Sequence, residues 1–245
     1  FSKYYMHRDP GFLRYFGTIL LFFIGLALVI LSGNLDVLFL GWEWIGMSSF
    51  LLIAYYRDRF LPVRNALKVF SLYRISDAVM IVAIWVGHHV FEGGIGFAQY
   101  PDFVAAHGND FALIGFLFLL VAVIKSAQFP FSYWLPRAME GPTSSSAIFY
   151  GALSVHMGLF VLLRTYPLWE GSTLLRLVVA GIGVLTAFVA TSITRVQSSI
   201  KTQIAYASVT QIGIMFVEVA AGVHWLVLLH MVSNAFLRTY QLLIS

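Results

Sequence analysis

Glu43 and Lys125 are charged residues placed where hydrocarbon would normally be. Glu43 lies inside LFLGWEWIGMSSFLL and Lys125 inside FLLVAVIKSAQFPF, each among long apolar runs. A charge at the centre of a membrane span costs about 2.5–3.5 kcal/mol on insertion scales and tends to face a bundle interior, where it marks an ion pathway. Glu43 would sit about 10 Å below the start of its helix. Lys68, Arg74 and Asp77 share the next apolar segment. Arg74 and Asp77 are at i, i+3 and so can pair on one face, whereas Lys68 reads equally well as a basic flank. Later segments carry His156, Lys201, His230 and Arg238, the last two about two turns apart and able to line one face. Histidine titrates near neutral pH and can relay protons. Burial disfavours the charged form of a lysine and a nearby carboxylate favours it. At short range such a pair is worth several kcal/mol, so moving Glu43 relative to Lys125 would switch whether the lysine holds its proton. The competing readings are structural: an ion pair that only ties helices, a local Arg74–Asp77 pair, and packed, hydrogen-bonded histidines.

Other chemistries find no support. The chain has no cysteine, which excludes disulfides, cysteine-held zinc and iron–sulfur clusters within it; no cofactor is expected in this chain. His88, His89 and Glu92 do not read as a metal site, because adjacent helix residues point in different directions. Gly93-Gly94-Ile95-Gly96 follows no strand and is no phosphate loop. No nucleophile–base pair stands out, so the chain is not expected to be catalytic alone.

The elements that must hold these residues are membrane helices. Only 11% of the 245 residues are charged and 60% are hydrophobic, against about a quarter charged in a soluble protein; the mean hydropathy is +0.84. Spans of about 20 apolar residues are predicted near 12–32, 36–56, 68–90, 111–129, 143–166, 174–194, 202–220 and 223–244. The expected fold is an all-α polytopic bundle of about eight helices forming a single domain, 1–245. Open sheet edges are excluded in hydrocarbon. The longest connection, about 91–110, is rich in glycine and carries Glu92, Asp102 and Asp110. Lys3, Arg8, Arg14, Arg57, Arg59, Arg64, Arg137 and Arg195 fall on one side, and only Arg164 and Arg176 on the other. That asymmetry predicts a cytoplasmic N-terminal end. The small net charge of +4 needs no nucleic acid. Trp42, Trp44, Tyr55, Tyr56, Trp134, Tyr166 and Trp169 fall near predicted helix ends and are expected to be mostly interfacial anchors. The chain opens on Phe1 rather than Met and is read as an internal piece of a longer protein.

Pro130 follows closely after Lys125, with Pro136 and Pro142 beyond. Proline removes a backbone donor and clashes one turn back, so the fourth helix should break near Gln128 to Pro130. Broken helices occur at membrane depth only where buried or lining a cavity, and in transporters they often mark the ion site.

The strings MHRDPGFLRYF, GWEWIGMSSFLLIAYY, IKSAQFPFSYWLPRAMEGPTSSSA and SSIKTQIAYASVTQIGIMF closely resemble the antiporter-like proton-channel subunits of respiratory complex I, above all its large distal (L-type) subunit. That family also includes Mrp sodium/proton antiporter subunits and membrane subunits of some hydrogenases and inorganic-carbon uptake systems. The resemblance covers almost the whole chain. It implies part of a core of about fourteen helices built from inverted five-helix repeats, with the first repeat at about 12–166 and part of the second at about 174–245. It also implies that Glu43 is the essential glutamate, Lys125 the lysine of the broken helix and Lys201 the central lysine of the second repeat, with Lys68, Arg74 and Asp77 as a supporting cluster. Three positions depart from the pattern. Tyr150 in SAIFYGALS stands where the family has histidine, with His156 about one and a half turns on as a substitute. In HMVSNAFLRT, His230 is kept, but Asn234 replaces a second histidine and Arg238 a lysine. Arginine is effectively always protonated and cannot relay a proton as a lysine does.

The expected function is therefore proton translocation in a multi-subunit complex of the NADH–quinone oxidoreductase kind. Its partners would be other membrane subunits, with redox or soluble subunits elsewhere, in the cytoplasmic (inner) membrane. Cation/proton antiport or energising inorganic-carbon uptake is the nearest other reading, and a non-conducting structural subunit, favoured by Tyr150 and Asn234, the next.

Overall fold

The computed structural model describes residues 2–244 except Glu92, Ile95 and 108–110, and not the side chains of 149–152. Glu92, Gly108, Asp110 and the Tyr150 side chain therefore lie outside the described residues. The fold is an all-α bundle, and no described residue is in a strand. Its long elements are α1 (Phe12–Leu31), α2 (Leu35–Ile53), α3 (Phe60–Val90), α4 (Ala112–Lys125), α5 (Met157–Arg164), α6 (Thr173–Thr194), α7 (Ile200–Ala220) and α8 (His224–Ile244). Of these, α1, α2, α3, α6 and α7 are long and apolar enough to cross a membrane.

Burial follows helical spacing. On α1 the buried stripe is Tyr15, Ile19, Phe22, Leu26 and Val29, while Leu13, Leu20 and Leu31 point outward. Apolar residues on both faces are what lipid requires of a membrane helix. With lipid as apolar as leucine, helix pairing depends on close backbone approach at small residues. Two pairs do this. α1 crosses α2 at Gly25 and Gly41, where a Cβ on Gly41 would stand 2.6 Å from the Gly25 carbonyl oxygen. α6 crosses α7 at Gly183 and Gly213, where a Cβ on Gly213 would stand 2.7 Å from the Gly183 oxygen. These are also the two most extensive helix pairings.

Several expected boundaries move. α3 begins at Phe60, eight residues before the predicted 68, because Pro62 is tolerated in a first turn. Lys68 thus lies well inside the helix, exposed on its surface. The fifth segment is not one α-helix: Ser146–Leu153 is a π-helix and Ser154–His156 a 3-10 turn before α5. Single π insertions concentrate at functional sites.

The break after Lys125 comes earlier than the prolines alone imply. Gln128 N–H donates to the Val123 carbonyl (2.9 Å) and Ala127 N–H to that of Ile124 (3.3 Å). Ala127 adopts φ 52°, in the left-handed region usually filled by glycine. This is a Schellman ending, so the helix stops at Lys125 rather than at Gln128. Pro130 then prevents its resumption.

The anchor reading of the aromatics fails for most of them. Trp42, Trp134, Trp169, Tyr55 and Tyr166 are buried. The indoles of Trp42 and Trp134 donate inside the bundle, to Asp77 Oδ1 (2.7 Å) and the Ile124 carbonyl (2.8 Å), which removes any need for water. The two basic residues that break the charge asymmetry cap helix ends. Arg164 donates to the carbonyl of Ser32 just past α1, and Arg176 to that of Ala220 at the end of α7, each at 2.8 Å.

Candidate functional site

Because α4 ends at Lys125, its side chain emerges into the bundle rather than along a continuing helix. The lysine is fully buried, with Nζ 3.9 Å from the Tyr73 ring centroid and 4.6 Å from that of Trp42. A desolvated cation–π contact contributes about 2 kcal/mol, less than the several kcal/mol that burying an ion costs. Compensation must come from nearby carboxylates, those of Asp77 and Glu43. Nζ has no protein hydrogen-bond partner among the described residues.

Those carboxylates are tied to Arg74. Its Nη2 lies 2.8 Å from Glu43 Oε2 and 2.7 Å from Asp77 Oδ2. Both contacts are ionic in distance and lack hydrogen-bond geometry at Nη2. The Asp77 side chain is nearly buried, 5% exposed, whereas Glu43 and Arg74 are 26% and 38% exposed. The expected i, i+3 pair forms, but the expected direct Glu43–Lys125 pair does not: the guanidinium occupies Glu43 and two aromatic rings occupy the lysine. Gly46, one turn beyond Glu43, lies between the two cations. A Cβ there would stand 3.7 Å from Arg74 Nη2 and 3.8 Å from Lys125 Nζ, so the two cations border the space that a side chain would fill. The i+3 spacing of Gly46 from Glu43 is the one mark of this placement in the sequence.

A second polar group is strung along α8. Asn234 and Arg238 are buried on one stripe with Val227 and Leu242, with His230 half-buried on the same side, as the spacing predicts. Asn234 Nδ2 donates to Nε2 of buried His156 (3.2 Å), and Arg238 Nε donates to Asn234 Oδ1 (3.2 Å). Arg238 also donates from Nη1 to Gln241 Oε1 (2.7 Å) and from Nη2 to the Ala207 carbonyl (3.2 Å). His230 faces oxygens with both ring nitrogens: Glu218 Oε1 at Nδ1 and Gln211 Oε1 at Nε2, each 2.9 Å away. The Glu218 side chain is only 15% exposed. Its partner sits on the next helix, and one sequence does not report that pairing. The two groups approach at buried Ser154, two residues before His156; the serine hydroxyl is near that of Tyr73 without hydrogen-bonding to it.

Two predicted residues stand apart. Lys68 is exposed and makes no ion pair among the described residues. Lys201 is the second residue of α7, half-buried, donating to Thr143 Oγ1 (2.8 Å). It therefore sits at a helix end, not mid-helix as a central lysine would, whereas Arg238 lies well inside α8. His88 contacts Asp36 Oδ2 (3.2 Å) and His89 the Trp85 carbonyl (2.9 Å), so the adjacent histidines face different partners.

Residues 32–245 match the family described as NADH:quinone oxidoreductase/Mrp antiporter, TM. The chain is 36% identical to NADH-ubiquinone oxidoreductase chain 5 of Metridium senile over 97% of its own length and 40% of the relative's. It is 32% identical to NAD(P)H-quinone oxidoreductase subunit 5, chloroplastic, of Physcomitrium patens over 96% and 34%. The chain thus spans well under half the length of these relatives. Among solved structures, a chain of the Mrp complex from Dietzia sp. DQ12-45-1b superposes with a TM-score of 0.87 at 23% identity, covering 93% of this chain and 25% of that one. A chain of the membrane-bound sulfane sulfur reductase, an archaeal respiratory membrane complex, superposes at 0.80 and 23% identity, covering 90% and 38%. At those identities the likeness is one of fold. The sequence matches carry the assignment further: this chain belongs to the NADH:quinone oxidoreductase/Mrp antiporter transmembrane family.

Proposed function

We propose that this chain is the proton-translocating part of an antiporter-like membrane subunit in a complex I-like assembly. One observation carries the reading: a fully buried, aromatic-caged Lys125 ends a broken helix beside the Glu43–Arg74–Asp77 ion group. Arg74 holds both carboxylates, so a shift of Arg74 or Glu43 changes the negative charge felt at Lys125. Moving carboxylate charge toward the lysine favours its proton, and moving it away favours release. Protons would enter from the cytoplasmic side near Lys125. They would pass along the buried polar residues Ser154 and His156 toward the Asn234–Arg238 group, with His230 and Glu218 beyond. Neither Asn234 nor Arg238 can exchange a proton as the residues they replace do, so these two position charge and hydrogen bonds.

Orientation and repeats belong to the same reading. The basic asymmetry, with Arg164 and Arg176 engaged as helix caps, supports a cytoplasmic N-terminal end in a cell's inner membrane. The division at about 12–166 and 174–245 is supported by the two glycine-crossed hairpins, α1–α2 and α6–α7, each opening one half. The partners would be further membrane subunits, with redox centres on other polypeptides.

Replacing Glu43→Gln or Lys125→Met should abolish coupled proton movement in vesicles while the assembly still forms; unchanged flux in both would remove the mechanism. The second reading, cation/proton antiport or energising inorganic-carbon uptake, is favoured by Arg238 in a lysine's place. An absorption spectrum with metal analysis of the co-purified assembly separates the two: flavin and iron–sulfur signals support the complex I-like reading. Their absence with a sodium-dependent pH change supports antiport, and zinc the carbon-uptake system.

A further inference from the structure

Arg238 is a buried cation that pairs with no acid among the described residues. Only 7% of it is exposed, yet its acceptors are Asn234 Oδ1, Gln241 Oε1 and a backbone carbonyl, all neutral. A guanidinium has five N–H donors, and these bonds use three. No carboxylate of the described residues lies within ion-pair distance. By contrast, Arg74 pairs with Glu43 and Asp77, and Lys125, which makes no direct ion pair, borders the same space as Arg74, so two cations stand with two anions. A buried charge without a counter-charge is strongly unfavourable, the more so in a membrane span.

Arg238 also lines a cavity of about 260 Å³ between α6, α7 and α8, with Arg195, Thr191, Thr194, Thr210 and Gln211 around it. The lining holds two cations and no acid. Thr194 and Thr210 spend their hydroxyl protons on the carbonyls of Ala190 and Tyr206, so the guanidinium groups must do the binding. Gln211, whose oxygen faces His230, keeps its amide N–H groups available. Exposed Arg195, at the end of α6, makes the mouth positive. At several times the roughly 30 Å³ that a water takes in the liquid, the volume admits a carboxylate or a halide together with water.

We propose that Arg238, with Arg195 at the mouth, forms a site for one monovalent, carboxylate-sized anion. The source is either a small anion from solution or an acidic side chain of a neighbouring membrane segment. The test is the melting temperature of the full-length protein in detergent, titrated with sodium formate at constant pH and ionic strength. A rise of about 2 °C or more at saturation, lost in Arg238→Gln, supports a small anion from solution. Arg195→Gln, at an exposed position, must shift the formate midpoint upward and serves if Arg238→Gln fails to accumulate. A wild type that ignores formate, together with Arg238→Ala stabilised by methylguanidinium, supports an acidic side chain. The proposal is overturned if neither response appears, if formate acts equally on wild type and both variants, or if Arg238→Ala fails to accumulate even with methylguanidinium while wild type ignores formate.

Discussion

Arg74 is the residue on which the site's charge balance turns, because a single nitrogen serves two carboxylates. Arg74→Gln would leave Glu43 and the nearly buried Asp77 with Lys125 as their only nearby counter-charge. Losing a partner of a fully buried ion pair costs about 3–5 kcal/mol. Arg74 is 38% exposed, so the expected loss is about 1–3 kcal/mol, read as a lower denaturation midpoint of the full-length protein. Outside the membrane spans, Tyr55 donates to Asp9 Oδ1 at 2.5 Å and lies under Arg14. Burial first, then the bond to Asp9, push its hydroxyl well above the ordinary tyrosine value, which is about 10. A raised value means that its contribution is fully present below about pH 10 and lost as pH rises from there. Tyr55→Phe should therefore flatten the alkaline limb of a plot of melting temperature against pH, and an unchanged limb would show that the contact contributes nothing.

The broken helix is the element that brings the lysine into the bundle, and its ending is strained at one residue. Ala127 holds φ 52°, a region where a Cβ costs about 1–2 kcal/mol. Ala127→Gly should therefore raise stability by about 1 kcal/mol in a thermal melt without altering the path of the chain. The glycine crossings act in the opposite sense. A Cβ on Gly41 or Gly213 meets a partner carbonyl at 2.6 or 2.7 Å, so leucine at either should cost about 1–3 kcal/mol by overpacking. The sequence pattern located most of these elements, since long apolar runs with short connections leave little choice. It misjudged those whose form depends on a neighbour. The stop at Lys125 is made by backbone bonds closing on Ala127, a residue with no turn signature of its own. The π-helix at Ser146–Leu153 likewise leaves no periodic mark in eight residues. In the site, Glu43, Arg74, Asp77 and Lys125 were legible because charges are rare in such runs. The Arg74 bridge, Gly46 and the Glu218–His230 contact were not, because each depends on which helices pack together.

Across the whole molecule, charge is sorted by depth and by side. The basic residues cluster at one end, Arg164 and Arg176 cap helix termini at the other, and the interior holds the balanced Glu43–Arg74–Asp77–Lys125 group and Arg238, which has no acidic partner among the described residues. Two lysines fall within two of the long apolar segments and face opposite environments: Lys125 is wholly buried, and Lys68 lies exposed on α3. That contrast gives the account its most direct test. Proton flux would be followed with a pH-sensitive dye in vesicles holding the intact assembly, comparing Lys125→Met with Lys68→Met. Flux should disappear in the first and persist in the second, with both assemblies intact. Persistent flux in Lys125→Met, or equal loss in both variants, would contradict a pathway centred on Lys125.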